Sequence, residues 1–387
     1  MRRAFALLLL LLLPVPTRAS GLELVDVFGP QTDGFKQIRI PSAVVTAHGT
    51  VLAFAEGRAA TTDQAHNKII LKRSTDGGKT WGKLDFLAAD ADNSLNNPCA
   101  LVEHEIGAVW LIYQRYPAGI PERSPKLETG YEGEQIVRNF LIHSEDEGIT
   151  WSKPRDVTRQ TKRATRVTTV ASGPGIGIQL RHGKHAGRML FPFNEGPWGQ
   201  WNIYAVYGDD HGRTWHMGDV APGGWIEGPR GQKHSTVNEA QIVELSDGSI
   251  RFSARRWAGK HMRKTCVSTD GGVTWSRIED VPELRDPSCM ASIFRYADPA
   301  QKTSCVLFSG PQSEKRENGT VFLSYDDGAT WPVHRVLCPG SFGYSCLTEL
   351  SDGTIGCLYE ADGATRIVFA KFALDWLSEG RDRPERR

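Results

Sequence analysis

The sequence predicts an all-β chain folded as a six-bladed β-propeller of four-stranded antiparallel blades. Three observations carry that expectation. The pattern S-x-D-x-G-x-T-W recurs five times: STDGGKTW at 74–81, SEDEGITW at 144–151, GDDHGRTW at 208–215, STDGGVTW at 268–275 and SYDDGATW at 324–331. A short run rich in β-branched or aromatic residues enters each copy, and a second kind of strand recurs six times upstream. Units of roughly 60 residues, six in number, match small antiparallel sheets that circle a channel.

The elements follow in order. IILKR, NFLIH, WNIYAVY, KTCV and VFL lead into the five boxes, each reading as a strand that enters a turn. The upstream strands are HGTVLAFAEGR (48–58), IGAVWLIYQR (106–115), GRMLFPFNEG (187–196), DGSIRFSARR (247–256), TSCVLFSGP (303–311) and DGTIGCLYE (352–360). Apolar partners such as IPSAVVTA, NEAQIVEL and SCLTEL precede some of them and join through His-Gly or Asp-Gly turns, the chemistry of tight hairpins. Each unit is therefore hairpin, loop, strand, box turn, strand. The sixth has no box; RIVFAKFAL (366–374) belongs to its outer strands, and GLELVDVFG near the N-terminus is expected to close the ring. No Pro/Gly linker or shift of composition divides the chain, so residues 20–387 are expected to form one domain.

Within a box, the Asp can accept N–H groups of its own turn, the Gly takes the left-handed conformation, and the Trp packs under neighbouring strands. A calcium loop needs more acidic oxygens than DDGAT offers, and a downstream Glu in register. The boxes thus read as scaffold. They are turns between the third and fourth strands of a blade, which share one face with the turns between the first and second. The remaining loops open on the opposite face, and a site belongs there.

The opening MRRAFALLLLLLLPVPTRAS pairs two Arg with an apolar run and small residues, which reads as a secretory signal over 1–19 and an exported product, secreted or periplasmic. No later segment approaches the roughly 20 apolar residues of a spanning helix. Lys plus Arg number 46 against 45 Asp plus Glu, which leaves no global field for nucleic acid or an anionic membrane. An anion must be bound by a local cluster. The seven Cys show no CxxC metal spacing and, being odd in number, leave at least one unpaired. They read as small buried residues, with room for one or two disulfides.

First-strand starts and second-strand ends point to the site face near the axis. They carry Arg39 (QIRIPSAVV), Glu239 (VNEAQIVEL), Arg255 (FSARR), Tyr344 (GYSCLTEL) and Glu360 (CLYE), while the loops between second and third strands add Asp63 (AATTDQAHN) and Arg316 (SEKRENGT). Three guanidinium groups around one point repel unless an anion joins them, and their planar forks match a carboxylate. The pocket therefore calls for an anionic ligand.

With IRIP at Arg39 where that family has its Arg-Ile-Pro motif, five Asp boxes and the ordered set Arg, Asp, Glu, Arg, Arg, Tyr, the chain resembles the exo-sialidase family of six-bladed propellers. The resemblance implies that Arg39, Arg255 and Arg316 clamp the sialic acid carboxylate. It makes Asp63 the acid/base, Tyr344 the nucleophile, Glu239 its activating base and Glu360 the support of Arg39. A sialoside carries its carboxylate on the anomeric carbon, so a neutral phenol approaches without the like-charge repulsion an Asp or Glu would meet. The implied activity is a secreted exo-α-sialidase that removes terminal sialic acids from glycoproteins or glycolipids with retention, and needs neither cofactor nor metal. Two alternatives share the clamp: a trans-sialidase or a hydrolase of a related nonulosonic acid, and a non-catalytic sialoside-binding propeller. The joint presence of Asp63, Tyr344 and Glu239 argues against the last. Asn97-Pro98 stands where many members carry Asp-Pro near the substrate's acyl arm, so Asn97 is a candidate contact that departs from the pattern. Arg58 is either a further substrate contact or half of a salt bridge. Trp198 and Trp201, in NEGPWGQW, form either a sugar platform or blade packing.

Overall fold

Every blade begins with a first strand paired antiparallel to its second. The computed structural model describes residues 21–298 and 303–379; the expected signal over 1–19 lies outside them. Blade 1 runs Gln37–Val45, Val51–Arg58, Lys68–Ser74 and Asp85–Ala88, and blade 2 runs Ser94–Val102, Val109–Tyr116, Arg138–Ser144 and Arg155–Asp156. In blade 3 the first strand is broken into Thr169–Ser172 and Ile178–Gln179, followed by Met189–Gly196, Asn202–Gly208 and His216–Met217. Blade 4 comprises Val237–Glu244, Ile250–Arg256, Met262–Ser268 and Glu279–Arg285. Blade 5 holds Ser292–Asp298, Thr303–Pro311, Glu317–Ser324 and the first part of Val333–Glu349. The second part of that strand, with Ile355–Ala361, Arg366–Phe372 and Glu23–Phe28, makes blade 6. All six expected second strands are present, and the N-terminal strand closes the ring on the last blade, with Val25 opposite Phe369.

The interruption in blade 3 has a local cause in GPGIG. Pro174 has no N–H to give to a ladder, and Gly175 takes φ 112° where an added Cβ would lie 2.6 Å from Met290. Gly175–Ile176 consequently leaves its own blade and pairs in parallel with Cys99 and Ala100 of blade 2. All seven Cys are free thiols, six of them buried, so the expected small buried residues are found and the expected disulfides are not. Six sit on strands and Cys289 in the loop before Ser292–Asp298, where packing rather than pairing holds them.

The boxes repeat one set of hydrogen bonds. In STDGGVTW, Asp270 accepts from the Val273 N–H (3.1 Å), the Thr274 N–H (2.9 Å) and the Thr274 hydroxyl (2.6 Å), while Ser268 donates to Asp270 and accepts from the Gly272 N–H. The same scheme holds around Asp76 and Asp146, and around Asp326 except that the Ala329 N–H donates to the Asp326 main-chain carbonyl; in the third box Gly208 replaces the Ser, and only the Thr214 contacts to the Asp210 carboxylate remain. Thr80, through its hydroxyl and its N–H, holds the Asp76 carboxyl down at about 2. A depressed folded value stabilises above the ordinary range near pH 4 and is lost as pH falls through the folded value, so this turn weakens only in strong acid.

Each box also clamps its blade to the one before. The fifth box position is a glycine at φ 72–88° in every copy. Its open side meets Phe369 of blade 6 at Gly78, Leu52 of blade 1 at Gly148, Trp110 of blade 2 at Gly212, Leu190 of blade 3 at Gly272 and Arg251 of blade 4 at Gly328. A Cβ on Gly272 would come within 2.5 Å of Leu190, so both the backbone angle and the neighbouring blade demand glycine there. The box Trp residues pack on aromatic rings, as Trp275 does on Phe252 at 4.2 Å and Trp81 on Phe369 at 5.4 Å. Substituting Asp270→Ala should lower the unfolding free energy by about 1–3 kcal/mol through lost turn hydrogen bonds. Urea denaturation measures this, and ligand affinity of the folded fraction should not change.

Candidate functional site

Four first strands break register near the axis in the same way. Two of their residues oppose a single residue of the second strand, the geometry of a β-bulge, which bends the strand and re-aims its side chains. The extruded pairs are Ile40-Pro41 in blade 1, Asn97-Pro98 in blade 2, Asn238-Glu239 in blade 4 and Gly343-Tyr344 in blade 6. The bulge in blade 4 sets Glu239 against Arg255, and that in blade 6 sets Tyr344 against Glu360. Ile40 and Asn97 adopt positive φ (63° and 54°). For a β-branched Ile this is an outlier that the surroundings must enforce, and strain of this kind concentrates at functional positions.

Glu360 organises one side of the pocket. It is fully buried and accepts from Arg39 Nε at 3.0 Å, Arg39 Nη2 at 2.9 Å, the Ile40 N–H at 2.9 Å and the Tyr344 N–H at 3.2 Å. Burial alone would raise its carboxyl, but the Arg39 guanidinium and the two N–H groups overcome it and hold it below the ordinary range. Gly343 makes room, since a Cβ there would lie 2.4 Å from Glu360 Oε2.

On the other side, Arg255 Nη1 donates to Glu239 at 2.6 Å and to the Tyr344 hydroxyl at 2.7 Å. The same hydroxyl lies 2.7 and 2.6 Å from the two Glu239 oxygens. Burial raises the Tyr344 phenol well above its usual value, against the pull of Arg255, so it stands as a neutral donor to Glu239. Burial also works against the charge on Arg255, and Glu239 more than restores it. The Arg39 and Arg316 guanidiniums lie 5.1 and 5.2 Å from the Tyr344 ring. Arg39, Arg255 and Arg316 are thus gathered around one ring. Arg316 donates to the Ser288 carbonyl at 2.8 Å and, among the described residues, has no carboxylate partner. Of the three guanidiniums around the ring, Arg39 and Arg255 have carboxylate partners and Arg316 has none among the described residues.

Asp63 lies on the loop after Val51–Arg58, two-thirds exposed, with Oδ1 held by Arg58 Nη1 at 2.9 Å. Arg58 itself is 2% exposed and ion-paired to Glu56 at 2.7 Å, which is the salt-bridge alternative of the two. The Asn97 N–H donates to Glu56 at 2.6 Å, and Asn97 is partly exposed beside the pocket. Trp201 is buried, its indole N–H bonded to Thr169, and belongs to blade packing. Trp198 remains 44% exposed, edge-on to Trp201 and Trp257, and the Trp257 ring lies 5.6 Å from the Arg255 guanidinium.

Two pocket residues escaped the sequence reading. Glu122, in the long loop between Val109–Tyr116 and Arg138–Ser144, is pinned through its N–H to Gln64, next to Asp63 (3.0 Å). Burial, then Glu239 and Asp63, push its carboxyl up to about 8. Glu56 is the other, a buried acid in AFAEGR that reads from sequence as an ordinary strand residue. Their only signal is an acid at a second-strand end and an acid in a long inter-strand loop.

The fold and the site define a six-bladed Asp-box propeller with Arg39, Arg255 and Arg316 gathered around Tyr344. The BNR repeat-like domain family matches residues 49–357, so the chain belongs to that family, and the resemblance to the exo-sialidase propellers is borne out by its relatives. It is 36% identical over 361 residues to a sialidase of Micromonospora viridifaciens, covering 89% of this chain and 53% of that protein. A sialidase of Bacteroides fragilis is 30% identical over 355 residues, covering 86% of this chain and 61% of the relative. Among solved structures, the Hadza microbial sialidase Hz136 superposes with a TM-score of 0.80 at 28% identity, over 90% of this chain and 69% of that one. The chain thus spans about half to three-fifths of the length of these two curated relatives.

Removing the unpaired cation should cost the pocket its ligand. Arg316→Ala is expected to weaken binding of a carboxylate-bearing sugar acid about 10- to 100-fold, from the loss of charge-assisted hydrogen bonds, as measured by calorimetry. Glu122 gives a second outcome. A carboxyl raised on folding keeps a proton that the unfolded chain has already released, so stability falls as pH rises from the ordinary carboxyl range towards about 8. Glu122→Gln should flatten that slope in urea titrations run at several pH values.

Proposed function

We propose that this chain is an exo-α-sialidase that hydrolyses terminal sialic acids of glycoproteins and glycolipids with retention, through a covalent bond to Tyr344. The sialidase relatives support the substrate class, and one contact supports the mechanism above all others: the Tyr344 hydroxyl sits within 2.7 Å of both Glu239 oxygens and of Arg255. In the first step the substrate carboxylate joins Arg39, Arg255 and Arg316. Tyr344 Oη then attacks the anomeric carbon while Glu239 accepts the phenolic proton. The bond to the leaving oxygen breaks as Asp63 delivers a proton to it. In the second step Asp63 takes a proton from water, the water oxygen attacks the same carbon, and the phenol leaves with the proton returned by Glu239. Two inversions give net retention.

Neutrality of the nucleophile matters because the attacked carbon bears a carboxylate. A buried phenol with a raised pKa avoids the repulsion, and Glu239 supplies basicity only as the new bond forms. Export through the 1–19 segment completes the proposal; protein recovered outside the expressing cell should begin at Ser20.

Purified protein should release fluorophore from an aryl sialoside between about pH 4 and 8, the range over which such acid–base pairs operate. Asp63→Ala should lower kcat on a sialylated oligosaccharide about 10²- to 10⁴-fold, the span of general acid–base contributions. Tyr344→Phe should abolish the trapped adduct with a fluorinated sialic acid in mass spectra. Absence of turnover by the wild-type chain would refute the hydrolase, and full activity of the Tyr344 variant would refute only the nucleophile.

A further inference from the structure

Each hydrogen bond that Asp63 accepts leads back to one buried acid. Asp63 Oδ1 accepts from Arg58, and the Asp63 carbonyl accepts from Asn67 Nδ2 (2.5 Å) and Asn96 Nδ2 (2.8 Å). Each of those three donors also bonds Glu56: Arg58 through Nε at 2.8 Å and Nη2 at 2.7 Å, Asn67 at 3.1 Å and Asn96 at 3.3 Å. The Asn97 N–H completes the set at 2.6 Å. Glu56 is 0% exposed, so it has no surface with which to touch a ligand.

We infer that Glu56 is a positioning residue: it fixes where the Asp63 carboxyl stands, and through Asn97 it ties that carboxyl to the blade 2 bulge. The inference rests on the reading of Asp63 as proton donor. The physical argument is one of reach and entropy. Asp63 lies on the polar loop over 59–67 and its side chain is two-thirds exposed, so free rotation would take the carboxyl away from the leaving oxygen. Arg58 restrains the carboxyl, and the two amides fix the main chain that carries it, only while they are themselves immobile. A single carboxylate that accepts from all of them, plus a backbone N–H of the next blade, immobilises them together. Glu56 also balances the charge of Arg58, so the guanidinium meets Asp63 as an oriented donor already matched by an acid. A mere structural ion pair would need neither the shared amides nor the link to Asn97.

The leaving group separates this role from simple stabilisation. An aryl group departs without much help from an acid, whereas a sugar alcohol requires protonation. The full-length wild-type chain and Glu56→Gln are compared on a nitrophenyl sialoside and on sialyllactose. The expected result is a fall in kcat on sialyllactose of about 100-fold or more, with a fall on the aryl substrate below about 5-fold. Equal losses on both substrates would overturn the inference while leaving the hydrolase intact. A wild-type chain inactive on both removes the reading on which it rests. If Glu56→Gln fails to fold by circular dichroism, Asn67→Ser takes its place. That variant removes one amide shared by Glu56 and Asp63, and must show the same preferential loss on sialyllactose in smaller measure; equal loss overturns the proposal.

Discussion

The Glu360 carboxylate joins the two ends of the chain at the point where the pocket opens. It belongs to the last blade, yet two of its four donor nitrogens are on Arg39, 321 residues away in the first, with Ile40 and Tyr344 supplying the others. A fully buried carboxylate is tolerable only with such partners, because losing one leaves a charge in a medium that cannot solvate it. Ring closure and the pocket therefore share partners: Glu23–Phe28 pairs with Arg366–Phe372 while Arg39 of the first blade meets Glu360 of the sixth.

The joints between blades follow a related economy. Five are clamped by a box glycine pressed against the preceding blade. The sixth unit has no box, and its joint to blade 5 is made instead by the continuous strand Val333–Glu349, which serves both sheets. A box is absent where the backbone itself crosses the joint. The pocket ignores this regularity. It takes a Tyr from one bulge, a Glu from another and a left-handed Asn from a third, so pseudo-equivalent positions carry unlike chemistry.

Much of this was legible in the sequence, for reasons of period. Box spacing and the six second strands located the blades, and strand order then pointed to the face on which Arg39, Glu239, Arg255, Tyr344 and Glu360 stand. What escaped depends on pairing between distant segments. The first strand of blade 5, Ser292–Asp298, and the broken first strand of blade 3 lack the clean alternation of the others. Glu56 looks like any acid in a strand until Asn67, Asn96 and Asn97 are brought round it. Arg58 is ambiguous for a different reason: its ion-pair partner Glu56 stands two residues away on the same strand, and the sequence does not tell that both are buried. The disulfide expectation failed because it argues from compartment, whereas bonding needs two thiols to meet, and these seven remain free in a large β core that buries enough apolar surface without cross-links.

The shared strand also decides where the ring can be cut. Opening the chain in a box loop would sever one turn and leave both flanking sheets whole, but opening it between blades 5 and 6 would break a seven-stranded sheet. Arg316 immediately precedes a strand on one half of that sheet and Tyr344 lies on the other half, with the Phe342 N–H donating to the Arg316 carbonyl between them. Tyr344 and Arg316 are accordingly joined through the backbone of one continuous sheet rather than across a joint between blades.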